Sequence, residues 1–215
     1  MATTALVTGV LTTTATQVTA LGYRAGQDST GSSNTFIGFL AGAENSTGDQ
    51  NTFIGASTAE TGVCTGTSNV AVGSNAANTI AGGFYNTIVG THAARSLTSG
   101  EGHTVVGYSA RRYGAGGSNG TYIGLYAAPS HTAGRSVYVG EYAGYDATTS
   151  DDSVHVGRLA GQNVTTGYTN VCIGDRALSN ATTSYSNTCV GYKAGDNITT
   201  STNNTLIGSA VRSAY

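Results

Sequence analysis

The sequence predicts an all-β fold, a parallel β-solenoid of about twelve 17-residue coils, and two observations carry that reading. The first is a repeat. The stretch NTFIG occurs at 34–38 and again at 51–55, and an aliphatic residue followed by Gly recurs at Gly22, Gly38, Gly55, Gly73, Gly90, Gly107, Gly124, Gly140, Gly157, Gly174, Gly191 and Gly208. The intervals run from 16 to 18 residues, too short for two helices, and no segment holds a 3.6-residue apolar rhythm. The second observation is composition. With 32 Gly, one Pro, no Trp and 9% charged residues, the chain cannot build a thick core of large side chains, yet it lacks the charge of a disordered polyelectrolyte. Small residues at regular intervals are the remaining route to order.

Alignment on the Gly gives each position a physical reading. The residue just before it is Leu, Ile or Val in every repeat, from Leu21 and Ile37 to Ile207, and the residue three before it is Thr or Val, from Thr19 to Thr205. Both types are β-branched or aliphatic and suit a strand. Four before the Gly, Asn recurs at Asn34, Asn51, Asn69, Asn86, Asn170, Asn187 and Asn204, where a ladder along the rod is expected. Three after it stands Ala, except at Thr58 and Val211, as if a small residue were needed where backbones crowd. The Gly itself supplies a turn or a close approach. The rest of each period, such as AENSTGDQ, ARSLTSGEG or NITTSTN, is polar and variable and reads as exposed turn.

Coils stacked about 4.8 Å apart make a rod roughly 55 to 60 Å long. Alternate strand residues face opposite ways, and the reading places the residues one and three before the Gly inside the coil. The residue between them is then expected to face out: Ala20, Phe36, Phe53, Ala71, Ile88, Val105, Tyr122, Tyr138, His155, Cys172, Cys189 and Leu206. So long an apolar stripe exceeds what a soluble monomer leaves in water, and copies of the chain around an axis parallel to the rod would cover it. Phe36, Phe53, Ile88, Val105, Tyr122, Tyr138, His155, Cys172, Cys189 and Leu206 are accordingly the expected interface of a homotrimer.

The recurring Asn, Thr or Val, any residue, Ile or Val, Gly, two more and Ala resembles the head repeats of trimeric autotransporter adhesins and related repeats of phage fibre proteins. The resemblance covers residues 18–215 and implies a left-handed parallel β-roll of three chains packed side by side. Residues 1–17 are out of register and Thr-rich, and form a separate segment expected to cap the rod or to attach it to capsid or tail proteins. The N-terminus has no basic residue before its apolar letters, which reads poorly as a signal peptide. No stretch has the length of a membrane span. These features favour a phage virion surface protein made in the host cytoplasm: a capsid decoration protein of head-fibre or cement type, or a short tail fibre binding host glycans. A bacterial cell-surface adhesin head is the remaining member of the set.

Nine Lys plus Arg, outnumbered by eleven Asp plus Glu, leave no electrostatic footprint for nucleic acid. The three cysteines have neither metal spacing nor a disulfide pattern, and Cys172 and Cys189, at one position of adjacent coils, read as reduced thiols. His155 could form a ring of three imidazoles about a trimer axis, although a neutral interface His is the simpler reading, and no metal or other cofactor is expected. Turn aromatics Phe84, Tyr85, Tyr113, Tyr145, Tyr168 and Tyr185 are the candidate glycan-binding residues, since rings with a polar edge suit sugars; packing between turns is their plainer role.

No enzyme is expected. GAGGSNG at 114–120 imitates a phosphate loop but precedes a strand instead of a helix. IGFLAG at 37–42 matches one hexapeptide of the left-handed β-helix acyltransferases, which need an aliphatic every sixth residue; Gly31 and Ala43 stand there. The four His have no recurring carboxylate or nucleophile partners. An ice-binding solenoid needs a flat outward Thr array, and the Thr column is expected to face the core.

Overall fold

The computed structural model describes residues 15–213. Most of the expected attachment segment, residues 1–14, lies outside the described residues, as do residues 214–215. Twelve three-residue strands make one parallel sheet in chain order: β1 (Thr19–Leu21), β2 (Thr35–Ile37), β3 (Thr52–Ile54), β4 (Val70–Val72), β5 (Thr87–Val89), β6 (Thr104–Val106), β7 (Thr121–Ile123), β8 (Val137–Val139), β9 (Val154–Val156), β10 (Val171–Ile173), β11 (Thr188–Val190) and β12 (Thr205–Ile207). Equivalent residues stand opposite one another, Phe36 beside Phe53 and Cys172 beside Cys189, so each of about eleven turns lies on the next in register. This is the parallel β-solenoid that the period predicts. Among the described residues no helix is long and apolar enough to cross a membrane.

Each strand ends at the Gly for two physical reasons. Its φ lies between 129° and 137° throughout the column, a region closed to residues with a Cβ. A Cβ on any of Gly22 to Gly191 would also meet the carbonyl oxygen of the next coil's Gly at 2.3–2.6 Å. Two residues on, every coil places a residue in the left-handed region, from Arg24 (φ 55°) to Ala210 (φ 54°), which completes the corner. The Ala three beyond the Gly is buried from Ala25 to Ala194, and Thr58 is buried with it, its hydroxyl donating to the Gly73 carbonyl at 2.8 Å.

The Asn ladder forms. Asn51 N–H donates to Asn34 Oδ1 (2.8 Å), Asn69 N–H to Asn51 Oδ1 (2.9 Å) and Asn86 N–H to Asn69 Oδ1 (3.1 Å), while Asn34, Asn51 and Asn69 Nδ2 donate to the carbonyls of Gly48, Gly66 and Gly83. Where the sequence drops Asn, other groups take the same bonds. His103 accepts the Gly120 N–H at Nδ1 (3.1 Å), and Ser136 and Ser153 accept from the coils that follow them. Gly120 leaves its place empty because the Tyr122 hydroxyl fills it, 2.5 Å from where a Cβ would be.

The facing of the strands is the reverse of the sequence expectation. The middle residue points into its own coil: Ala20, Phe36, Phe53, Ala71, Ile88, Val105, Tyr122, Tyr138, His155, Cys172 and Cys189 are buried, and Leu206, on the terminal rung, is half-buried. The residues on either side are half-buried or exposed, as Leu21, Val70, Ile123 and Ile207 illustrate. Both faces of a three-residue strand carry apolar letters here, so hydrophobicity cannot fix the parity; volume does. Phe36 occupies the space that Cβ atoms at Gly26 and Gly42 would take, Tyr138 that at Gly144, and His155 that at Gly161. Phe36, Tyr138 and His155 are thus each matched to a glycine four beyond the strand-ending Gly, while the coils of Phe53 and Tyr122 carry the small Ala59 and Ala128 there.

The polar arc is not wholly exposed either. Asn45, Leu97 and Ile198, embedded in AENSTGDQ, ARSLTSGEG and NITTSTN, are buried, as are Ile80, His131 and Val164 at the same place in other coils. The place, seven beyond the strand-ending Gly, recurs from coil to coil, but Asn45, Leu97, His131 and Ile198 share no residue type, so it is masked by its polar neighbours. The apolar core falls into two clusters, Val18 to Ala147 and Ala160 to Ile198, which are separated at the rung of Ser150, Ser153 and His155.

Candidate functional site

Because the middle column is internal, nine of the ten residues expected at a trimer interface are instead buried core, and Leu206 packs half-buried against it. His155 lies against Tyr138 (ring centroids 5.0 Å apart, 84° between planes), inside one coil, so it offers no ring of imidazoles about an inter-chain axis. Among the described residues neither of its ring nitrogens has a hydrogen-bond partner, and burial holds it neutral, its pKa lowered to about 3. Among the described residues no group of three or more His, Cys, Asp or Glu is placed to hold a metal ion. Cys64, Cys172 and Cys189 are free, buried thiols whose pKa burial raises, to about 11 for Cys64 and Cys189, which leaves them poor nucleophiles.

The surface that each strand presents outward consists of two uncharged columns, Thr or Val on one side and Leu, Ile or Val on the other, twelve rungs long. The Thr column therefore faces outward, and the ground for setting aside an ice-binding face, that Thr points inward, is corrected; the neighbouring column is aliphatic in every rung.

GAGGSNG turns out to cradle a cation. Arg111 is fully buried, and its guanidinium donates to the carbonyls of Gly114 (3.2 Å) and Gly116 and lies over the Tyr122 ring, 5.1 Å from its centroid. Carbonyl oxygens aimed at a guanidinium are the wrong polarity for phosphate. Around Arg111 runs an internal polar chain. His131 Nε2 faces the Ser150 carbonyl at 2.8 Å and must donate to it, so bare Nδ1 accepts from the Tyr122 hydroxyl at 2.9 Å. Tyr138 OH reaches Ser150 Oγ (2.6 Å), and the Tyr122 and Tyr138 rings stack at 5.6 Å. Burial, reinforced by the Arg111 charge, holds the pKa of His103 and His131 down to about 4.

The six turn aromatics are all exposed, and the structure sorts them into three places. Phe84 and Tyr85 lie beside the Phe84–Glu101 bridge. Tyr168 and Tyr185 stack on each other from adjacent coils, with centroids 5.0 Å apart and planes 1° from parallel. Tyr113 and Tyr145 meet in a cleft of about 550 Å³ that also draws on Tyr126, Pro129, Ser130, Tyr142, Asp146 and Thr148. Tyr126 and Tyr142 take the left-handed corner position of consecutive coils, which stacks their rings (5.6 Å, 12°), and Tyr145 stands steeply to both, at 77° and 65°. Sequence reasoning passed over Tyr126, Tyr142 and Asp146; the signal available was that Tyr126 and Tyr142 share one place, two beyond the Gly, in successive coils.

No protein-family model, curated protein or solved structure matches the chain.

Proposed function

We propose that the protein is a non-enzymatic bacteriophage virion surface protein. In this reading it is a homotrimeric left-handed β-roll that decorates the capsid as a head fibre or cement-like protein and offers its turns for host-surface adhesion. The observation that carries the proposal is the uncharged outward strand face, two columns wide and twelve rungs long. A face of that length and composition calls for cover, and parallel copies about one axis supply it with a closed symmetry. The copies meet through Ile37, Val106, Val139 and their equivalents together with the Thr or Val column, not through the internal residues first expected there; the number three comes from the resemblance of the repeats to β-roll heads and fibres. Folding in a reducing host cytoplasm suits three buried thiols, two of them on adjacent rungs, better than passage through an oxidising compartment does. Partners in the particle would be capsid or tail proteins met by residues 1–17.

Labelling purified particles with an antibody to the rod is expected to mark the head. Label at the tail tip would make the protein a short tail fibre, and label confined to bacterial surfaces would make it an adhesin head.

A further inference from the structure

We infer that the cleft between Tyr113, Tyr126, Tyr142 and Tyr145, with Asp146 at its edge, is a binding site for a neutral pyranose at the end or along the chain of a surface glycan. The inference deepens the surface role proposed above and rests on it only for the biological source of the sugar.

Four phenol rings converge within one cleft of about 550 Å³, a volume in the range of small-ligand sites. The backbone places two of them at equivalent positions of adjacent coils. Tyr126 and Tyr142 sit at φ 51° and 55° in the tight corners of consecutive coils, whose backbones are joined by the Tyr142 N–H to Leu125 carbonyl bond (2.9 Å); the Tyr126 N–H to Tyr108 carbonyl bond (3.0 Å) ties the first of them to the coil before. Tyr145 then forms a wall against the stacked pair, its centroid 5.2 Å from that of Tyr142 and 6.2 Å from that of Tyr126. Tyr113, 54% exposed, has Arg112 over its ring and therefore offers one free face.

Such a corner matches a sugar ring chemically. The C–H face of a pyranose packs on an aromatic face, and the phenol tips hydrogen-bond to its hydroxyls. Asp146 is exposed, and its carboxylate has no hydrogen-bond or ion-pair partner among the described residues. A carboxylate so placed accepts from two vicinal hydroxyls. Asp146 is also the one formally charged residue lining the cleft, so an acidic sugar would meet repulsion there. The Ser130 hydroxyl can donate or accept, and the Thr148 hydroxyl, which already donates to the Thr165 carbonyl (3.1 Å), can accept. None of these residues belongs to the outward strand face, so cover of that face by other copies does not use them.

The stacked pair Tyr168 and Tyr185 serves as the comparison. Those rings are exposed and aromatic but lie flat against each other, and they do not line the cleft that holds Asp146. Saturation-transfer NMR on the purified full chain, with glucose, galactose, N-acetylglucosamine and N-acetylneuraminic acid as probes, tests the assignment. Transfer to at least one neutral sugar is expected, at about millimolar affinity, with none to the acidic one. Tyr145→Ala and Asp146→Asn are each expected to weaken binding at least about tenfold, while Tyr185→Ala leaves it unchanged; circular dichroism melting confirms that all three variants fold. Binding that survives both cleft substitutions, binding lost in Tyr185→Ala, preference for the acidic sugar, or no transfer to any probe would overturn the assignment. Head or tail labelling of particles is independent of these outcomes, so failure of the cleft is distinguishable from failure of the surface role.

Discussion

Gly107→Ala is expected to lower the melting temperature by at least about 5 °C or to prevent soluble expression, because strain of about 1–3 kcal/mol in the backbone adds to a steric clash. At Gly107 φ is 134°, and an added Cβ would lie 2.4 Å from the Gly124 carbonyl oxygen and 2.7 Å from its carbon. Both are main-chain atoms of the next coil and cannot rotate away. Coils of a solenoid bond only to their neighbours, so a displaced rung interrupts the stack locally and uncouples the two halves of the rod. The matching control is Gly82→Ala, where a Cβ meets nothing within 4 Å and φ is not in the left-handed range. Its stability is expected to change by less than about 0.5 kcal/mol. Equal effects of the two substitutions, measured by thermal and denaturant unfolding, would contradict the close-stacking account of the Gly column.

Acid is expected to unfold the middle of the rod. His103, His131 and His155 are buried and neutral, with pKa values near 4, 4 and 3 against 6.5 for an ordinary imidazole. A group whose folded pKa lies below its unfolded one binds its proton first in the unfolded chain. Its stabilising contribution is therefore complete above about pH 6.5 and is lost as pH falls toward 4. For His103 alone, a depression from 6.5 to about 4 corresponds to on the order of 3 kcal/mol once the pH is below both values. Geometry gives the same sign. His103 Nδ1 accepts the Gly120 N–H while Nε2 donates to the Gly117 carbonyl, and His131 is used in the same way by Tyr122 and Ser150. Protonation turns His103 Nδ1 into a donor pointed at the Gly120 N–H, which cannot accept, whereas the Tyr122 hydroxyl facing His131 can turn to accept, so for His131 the cost is that of burying the charge. His103 stands in the Asn column, so His103→Asn can make the ladder bonds that Asn86 makes one coil earlier, and it is expected to keep stability at pH 7 while shrinking the loss between pH 6.5 and 4. An unfolding free energy that stays flat over that interval in the parent, or an equal slope in the variant, would contradict the assignment.

How far the molecule was legible in the sequence follows from which signals are periodic. The Gly column announces itself because one backbone conformation and one close contact recur in every coil. The buried Ala column and the Asn ladder were visible for the same reason. The direction of the strands was not legible from hydrophobicity, since Thr35 and Ile37 outside are about as apolar as many residues that occupy the middle place inside. It could have been read in part from compensation: Phe36, Tyr138 and His155 are each followed by a Gly at one fixed distance and Phe53 and Tyr122 by Ala, whereas Val105 and Cys172 are followed at that distance by Arg111 and Leu178, both buried. A packed interior conserves summed volume across facing positions. The cleft was half legible. Tyr113 and Tyr145 were visible as exposed rings, but the left-handed corner that turns Tyr126 and Tyr142 toward them depends on stacking between coils, which no single repeat displays.

The claim on which the account turns is that the outward strand face is covered by further copies of the chain. Native mass determination at micromolar concentration measures this directly. A mass of about three times the 21.5 kDa chain is the expected result. A monodisperse single chain, stable with its twelve aliphatic rungs and its Thr column open to water, would contradict it.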